Sequence, residues 1–298
     1  MEKLIDLHIH TNCSDGALSP KEIIDTASRN GVSVIAIADH DTIDAYTEEL
    51  SKYAKEKQIK LIPAVEISTK TKKAGIHVLG YNFDIHHQGL NKKLSSLRNA
   101  THDYLFRVSE KLNQLGYVLH TEELDQIEAV TKAHIAKDVI HNDKNKEILL
   151  KNFDKIPQMG EFIETVMNEG CPAYVKKETI TPKEAAELIR NAGGKVILAH
   201  PVAYQYEDHL SDEEILSLVQ EMKADGIEAN YIYIDRNNQK INEINKWNTI
   251  AKENHLMVTI GSDFHQQDGI HPEIGLIHEN LNLEDDFINS IISYLINQ

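Results

Sequence analysis

At 298 residues, 41% hydrophobic and 26% charged, the chain has the make-up of a globular protein long enough for one large α/β domain or a barrel with an insertion. Its 31 basic and 47 acidic side chains leave a formal charge of −16, which argues against broad electrostatic binding to duplex nucleic acid but does not exclude a small anionic ligand. No apolar run approaches the roughly 18–20 residues that span a bilayer, so no membrane association is expected.

The opening MEKLIDLHIHT lacks a basic segment followed by an apolar one, so no signal peptide is expected. Residues 4–10 read as a strand, 20–30 as a helix and 32–39 as a second strand. The helix start is explicit: Ser19 as N-cap, Pro20 in the first turn, Glu22 three positions after the cap, and Gly31 to close. Residues 46–57 read as a helix, and 60–68 and 75–83 as strands. Apolar strands such as VSVIAIA, separated by helices, predict a parallel sheet covered by helices. Two thiols, Cys13 and Cys171, fit a reducing cytoplasm better than a disulfide framework.

The rhythm changes between residues 91 and 179. A long helical pattern ends at Gly116, and shorter ones follow around 122–128, 134–140, 146–154 and 160–168 with no convincing core strand, which predicts an inserted helical subdomain. Residues 1–90 and 180–298 then form the main domain. Thr-Pro-Lys-Glu at 181–184 repeats the capping logic for a helix over 182–192 that ends at Gly193-Gly194. Residues 195–200, 226–230 and 257–263 read as strands, and 211–223, 238–254 and 285–296 as helices. About seven β-α units suit a closed barrel.

Six histidines and four acids fall along this frame: His8, His10, Asp15, Asp39, His40, Glu66, His77, His200, Asp263 and His265. Most lie at the ends of the apolar runs, where α/β barrels build their active sites. The spacing of His8 and His10 puts both side chains on one face of a strand, able to chelate one ion. A lone His-x-His, an Asp-His pair or His77 by itself is commonly a surface or packing feature. The joint pattern would require all of them to be strand-end coincidences. Imidazole and carboxylate donors suit Zn, Mn or Fe better than a thiolate site would.

The segments LIDLHIHTNCSDG, AIADHDT, PAVEIS, HVLGY, LAHP and GSDFH, in this order, resemble the successive motifs of the polymerase-and-histidinol-phosphatase (PHP) family. The resemblance covers nearly the whole chain outside the insertion. AHIAKDVI and CPAYVKKE resemble the stand-alone phosphoesterase branch, whose members act on 3′,5′-nucleoside bisphosphates or short oligoribonucleotides. It implies a distorted (β/α)7 barrel with two or three divalent ions (Mn, Zn or Fe, with Mg a further candidate). His8, His10, Glu66 and Asp263 would hold one ion, and Glu66 would bridge to a second held by His77 and His200. Asp15, His40 and His265 would form a third position, with Asp39 orienting ligands from outside. Asp15, His40, Glu66, His200, Asp263 and His265 are the expected catalytic set, with a water shared by two ions as nucleophile. Cys13 has no Cys-His logic around it, and Ser14 and Gly16 read as turn residues.

For substrate contacts, His134 and Lys137 lie three apart on one helical face, and Lys176 and Lys177 follow Cys-Pro-Ala-Tyr. The alternative for the lysines is a solvated face. Related sequences often carry an arginine near this histidine; here the stretch is TKAHIAK, and lysine offers a point charge rather than a bidentate fork. Tyr204 and Tyr206 read either as loop packing or as platforms for a base. His86, His87, His102, His141 and His278 are given no role. The expected activity is hydrolysis of a small nucleotide phosphate ester, yielding an AMP-like product, in the cytoplasm. Histidinol phosphate is the competing substrate, and a metal-binding module without catalysis is the reading of another class.

Overall fold

The computed structural model describes residues 4–125, 127, 130–176, 178–235, 237–277 and 285–296. Strands β1 (Leu4–Ile9), β2 (Val32–Ile37), β3 (Lys60–Lys70), β4 (Gly75–Tyr81), β5 (Lys195–Leu198) and β6 (Gly226–Asn230) form along the apolar runs. A small hairpin, β7 (Tyr233–Ile234) with β8 (Lys240–Ile241), precedes β9 (Met257–Ile260). One seven-stranded sheet has the order β1-β2-β3-β4-β5-β6-β9. β1 buries every residue but its first, and β6 buries all five, so these strands are covered on both faces.

Helices start where the caps place them. Capping boxes join Ser19 with Glu22, Thr181 with Glu184 and Ser211 with Glu214 ahead of helices Pro20–Arg29, Pro182–Asn191 and Asp212–Met222. The second helix begins at Glu48, later than residue 46, because Thr47 caps it and the Tyr46 hydroxyl is taken up by Ile37 O and Ile62 O. Residues 238–254 are not one helix. β8 takes the first part, and the helix is confined to Ile244–Glu253. A short helix, Pro201–Glu207, follows β5 with Pro201 in its first turn.

The all-parallel expectation fails at β4. It pairs antiparallel with both β3 and β5, while β1–β2–β3 and β5–β6–β9 pair in parallel. Only residues 71–74 separate β3 from β4, closed by Thr71 N–H donating to Ala74 O at 2.9 Å. A parallel return would need about a dozen residues or more. The reversal makes β4 begin at the rim where the parallel strands end, with His77 opposite Ser68. At the sheet's two ends, Ile9 bridges to Phe264, His10 N–H donates to Phe264 O, and Asp263 N–H to His8 O.

The chain divides into two compact units, Met1–Ser95 with Ile180–Gln298, and Ser96–Thr179. The second has its own core of Tyr104, Leu105, Val108, Leu112, Ile135 and Phe162 among others, with Tyr117 edge-on to Phe162. Among the described residues no helix is long and apolar enough to cross a membrane. Both cysteines are free thiols.

Candidate metal centre

The rim at the end of β1 sets the site. His8 and His10, two apart on a pleated strand, bring their Nε2 atoms to 3.1 Å from each other, both fully buried. Glu66, near the end of β3, reaches them with Oε2 at 3.3 Å from each Nε2. Asp263, after β9, closes the group with Oδ1 3.4 Å from His8 Nε2 and 3.1 Å from His10 Nε2. Gly261 makes that approach possible: a Cβ there would fall 2.3 Å from the His8 Cβ.

The other carboxylate oxygen of Glu66 faces the opposite way. Its Oε1 is 3.1 Å from His77 Nδ1 and 3.1 Å from His200 Nε2, and these two nitrogens are 3.3 Å apart. His40 Nδ1 sits 3.1 Å from Glu66 Oε2. A third group lies toward solvent, where Asp15 meets His10 at 3.4 Å, His265 at 3.4 Å and His40 at 3.7 Å. The His265 ring stacks on His10, centroids 4.1 Å apart. Three sets thus hold their donor atoms within 4.8 Å: His8, His10, Glu66 and Asp263; His40, Glu66 and His77; and His10, Asp15, His40 and His265. All nine residues expected as ligands converge on one rim.

The chain matches the PHP domain over residues 6–194. The chain belongs to the PHP family, and with it to the metal-dependent hydrolases of phosphate esters. A Haemophilus influenzae protein named 5′-3′ exoribonuclease is 33% identical over 97% of this chain and 98% of its own length. The Escherichia coli 5′-3′ exoribonuclease Rnm is 31% identical over 88% of this chain and 85% of its own. The 3′,5′-nucleoside bisphosphate phosphatase of Chromobacterium violaceum is 26% identical over 88% and 87%. Among solved structures, an amidohydrolase from Chromobacterium violaceum with bound sulfate and no metal superposes with a TM-score of 0.67 at 23% identity over 90% of each chain. The matched PHP segment ends before His200, Asp263 and His265, which the fold adds to the rim.

The donors of this PHP site fit divalent cations. His10 Nδ1, His40 Nδ1, His200 Nδ1 and Glu66 Oε2 are buried polar atoms that make no well-aligned hydrogen bond, a costly state for groups that lack an electrophile to face. Of these, His10 Nδ1, His40 Nδ1 and Glu66 Oε2 have ionisable neighbours at 3.1–3.4 Å. Electrostatics agree. Burial opposes charge on His8, yet the Glu228, Glu66 and Asp263 carboxylates outweigh it and raise its pKa well above the ordinary value. Burial likewise opposes charge on His10, and Asp15, Asp263 and Glu66 raise its pKa in the same way. Burial drives His40 down to about 3. For Glu66 and Asp263, burial is overcome by the surrounding imidazoles, and both are held well below the carboxylate range. The cluster therefore draws positive charge into its centre, by protons or by cations.

Several supporting residues were not expected from sequence. Glu228 on β6 is buried and contacts His8 Nδ1 at 3.0 Å; its signal was a lone acid inside the wholly buried GIEAN. Tyr231 donates its hydroxyl to Asp263 Oδ2 at 3.2 Å. Asp6, pushed up to about 6 by burial, accepts the Ser262 and Gly275 N–H groups and so pins the segment carrying Asp263. His200 and Asp263 both have positive φ, +23° and +54°. Asp39 meets the loop rather than a ligand: it accepts Thr11 N–H at 2.6 Å, the Thr11 hydroxyl at 2.7 Å and the Ser14 hydroxyl at 2.6 Å. Ser14 is thus a loop anchor. Tyr204 is buried with its hydroxyl accepting His77 N–H, which makes it packing; Tyr206 is exposed and bonds Glu243.

In the helical unit, His134 caps its own helix, Lys132–His141, by exchanging bonds with Thr131. Lys137, one turn on, and Lys176 are exposed. Lys177 and His278 lie outside the described residues. His102, given no role from sequence, pairs with Asp125 at 2.6 Å.

Proposed function

We propose that this chain hydrolyses phosphate esters of small nucleotides, with short RNA trimmed from its 5′ end as the first substrate class and 3′,5′-nucleoside bisphosphates as the second. The observation that carries the reading is Glu66, whose two oxygens face separate sets of imidazoles within 3.1–3.3 Å. A carboxylate so placed would serve two neighbouring cations. We assign His8, His10, Glu66 and Asp263 to one ion, Glu66, His77 and His200 to a second, and Asp15, His40 and His265 to a third. The nitrogen and oxygen donors suit Mn, Zn or Fe, with Mg a weaker fit. Divalent ions bound here would polarise the phosphoryl group and activate water.

The chain's own side chains set the approach. His8, His10 and Glu66 are sealed at 0–1% side-chain exposure, whereas Asp15, His77 and His265 retain 28%, 33% and 35%. Solvent-borne phosphate therefore meets the Asp15, His77 and His265 edge first, and the sealed floor excludes bulk water from beneath it. The net charge of −16 favours small substrates over duplexes. The exoribonuclease and bisphosphate phosphatase names of the relatives support nucleotide substrates. The pairing of Ile9 with Phe264 supports closure of the sheet as a distorted (β/α)7 barrel.

Purified protein loaded with Mn is incubated with 5′-monophosphorylated short RNA, adenosine 3′,5′-bisphosphate and histidinol phosphate. Release of mononucleotide or phosphate from the first two is expected. Preference for histidinol phosphate, or no turnover of any, overturns the reading. In the same assay His134→Ala tests substrate contact by His134: a lowered kcat/KM is expected, and unchanged catalytic efficiency removes that contact.

A further inference from the structure

Glu228 sits in the middle of β6, a strand whose five residues are all buried, at a position that would ordinarily hold an aliphatic side chain. A buried carboxylate is retained only where its oxygens are fully engaged. Here they are. Oε1 and Oε2 lie 3.0 and 3.1 Å from His8 Nδ1, and Oε2 also accepts His200 N–H at 3.0 Å. His200 needs that bond, since its φ of +23° is a conformation that only surrounding contacts can impose. Room for the carboxylate comes from Gly261, where a Cβ would fall 2.5 Å from Glu228 Oε1.

We propose that Glu228 is a positioning residue that holds two parts of the metal centre at once, the His8 ring and the His200 backbone. This rests on the ligand assignment proposed above. A proton on His8 Nδ1, donated to Glu228, leaves Nε2 with its lone pair toward His10, Glu66 and Asp263. The same carboxylate fixes the turn from which the His200 ring reaches Glu66 Oε1. One acid outside the ligand set thus links the ion held by His8 to the ion held by His200.

The test uses Glu228→Gln in the full chain, with Glu66→Gln beside it. Glutamine keeps the shape but removes the charge and puts an NH2 donor where one of the two oxygens facing the His8 Nδ1–H and the His200 N–H now stands, so the hold on the pair is weakened. Mn affinity, read by competition with a chelator, is expected to weaken about 10–100-fold in Glu228→Gln. The loss is expected to shrink in a His8→Ala background. Wild-type affinity in Glu228→Gln, with affinity lost in Glu66→Gln, overturns the positioning role alone. Wild-type affinity in Glu66→Gln overturns the ligand assignment itself. A second readout does not depend on the variant folding: 15N-histidine spectra of the Zn-loaded wild-type protein. His8 is expected to be metal-bound through Nε2 with a proton on Nδ1, and binding through Nδ1 overturns the inference.

Discussion

Glu66 Oε1 and His77 Nδ1 lie 3.1 Å apart across the antiparallel pairing of β3 with β4, two register positions from each other on one face. The pairing exists because four residues cannot return the chain in parallel. It delivers an imidazole from a strand's beginning to the rim where every neighbouring strand ends. Glu66 is therefore the hinge of the site. Replacing it with Gln is expected to lower kcat/KM by about 10³-fold or more, equivalent to about 4 kcal/mol of transition-state stabilisation. Steady-state kinetics at saturating Mn checks this; a loss under tenfold contradicts it.

How much of this was legible in the sequence differs by residue. The His8 and His10 spacing, and the acid–histidine pairs at Asp39-His40 and Asp263-x-His265, follow from strand periodicity and the position of apolar runs. The capping boxes at Ser19 and Thr181 carry their own local chemistry and fix helix starts. The direction of β4 was readable from loop length but was masked by the regular β-α alternation before it. Glu228 was hidden because one acid in a short apolar strand has no partner close in sequence; His8 is 220 positions away. The helix Pro201–Glu207 has a local start signal in Pro201, but it is only seven residues long and follows a turn at His200 whose φ of +23° no local pattern encodes.

Metal removal is expected to destabilise the fold. Ions that bind only the native state add about 2.7 kcal/mol at a hundred times their dissociation constant, worth several degrees in Tm for a chain of this length. Melting curves with excess Mn and with EDTA are expected to separate by at least about 5 °C. Coincident curves contradict the centre.

Metal uptake is expected to release protons. In the metal-free protein the Glu228, Glu66 and Asp263 carboxylates hold His8 above the ordinary histidine value, and Asp15, Asp263 and Glu66 hold His10 there. Cations then displace protons, so affinity rises with pH through and beyond about 6.5 and falls as pH drops below it. Calorimetric titration in two buffers of different ionisation enthalpy gives the number released. Zero protons at pH 7 contradicts the assignment.

Asp39→Asn is expected to act on the loop. It weakens bonds to Thr11 and Ser14 that hold the segment carrying Asp15. Stability is expected to fall by about 1–3 kcal/mol. The ion at Asp15, His40 and His265 is expected to be lost while the pair around Glu66 stays. Loss of all ions together contradicts that division.

The most direct measurement is anomalous diffraction from a crystal grown with Mn, which counts and places the ions. The account predicts at least two peaks a few ångströms apart, with Glu66 between them and His8, His77, His200 and Asp263 around them. One peak, or peaks away from Glu66, would contradict it.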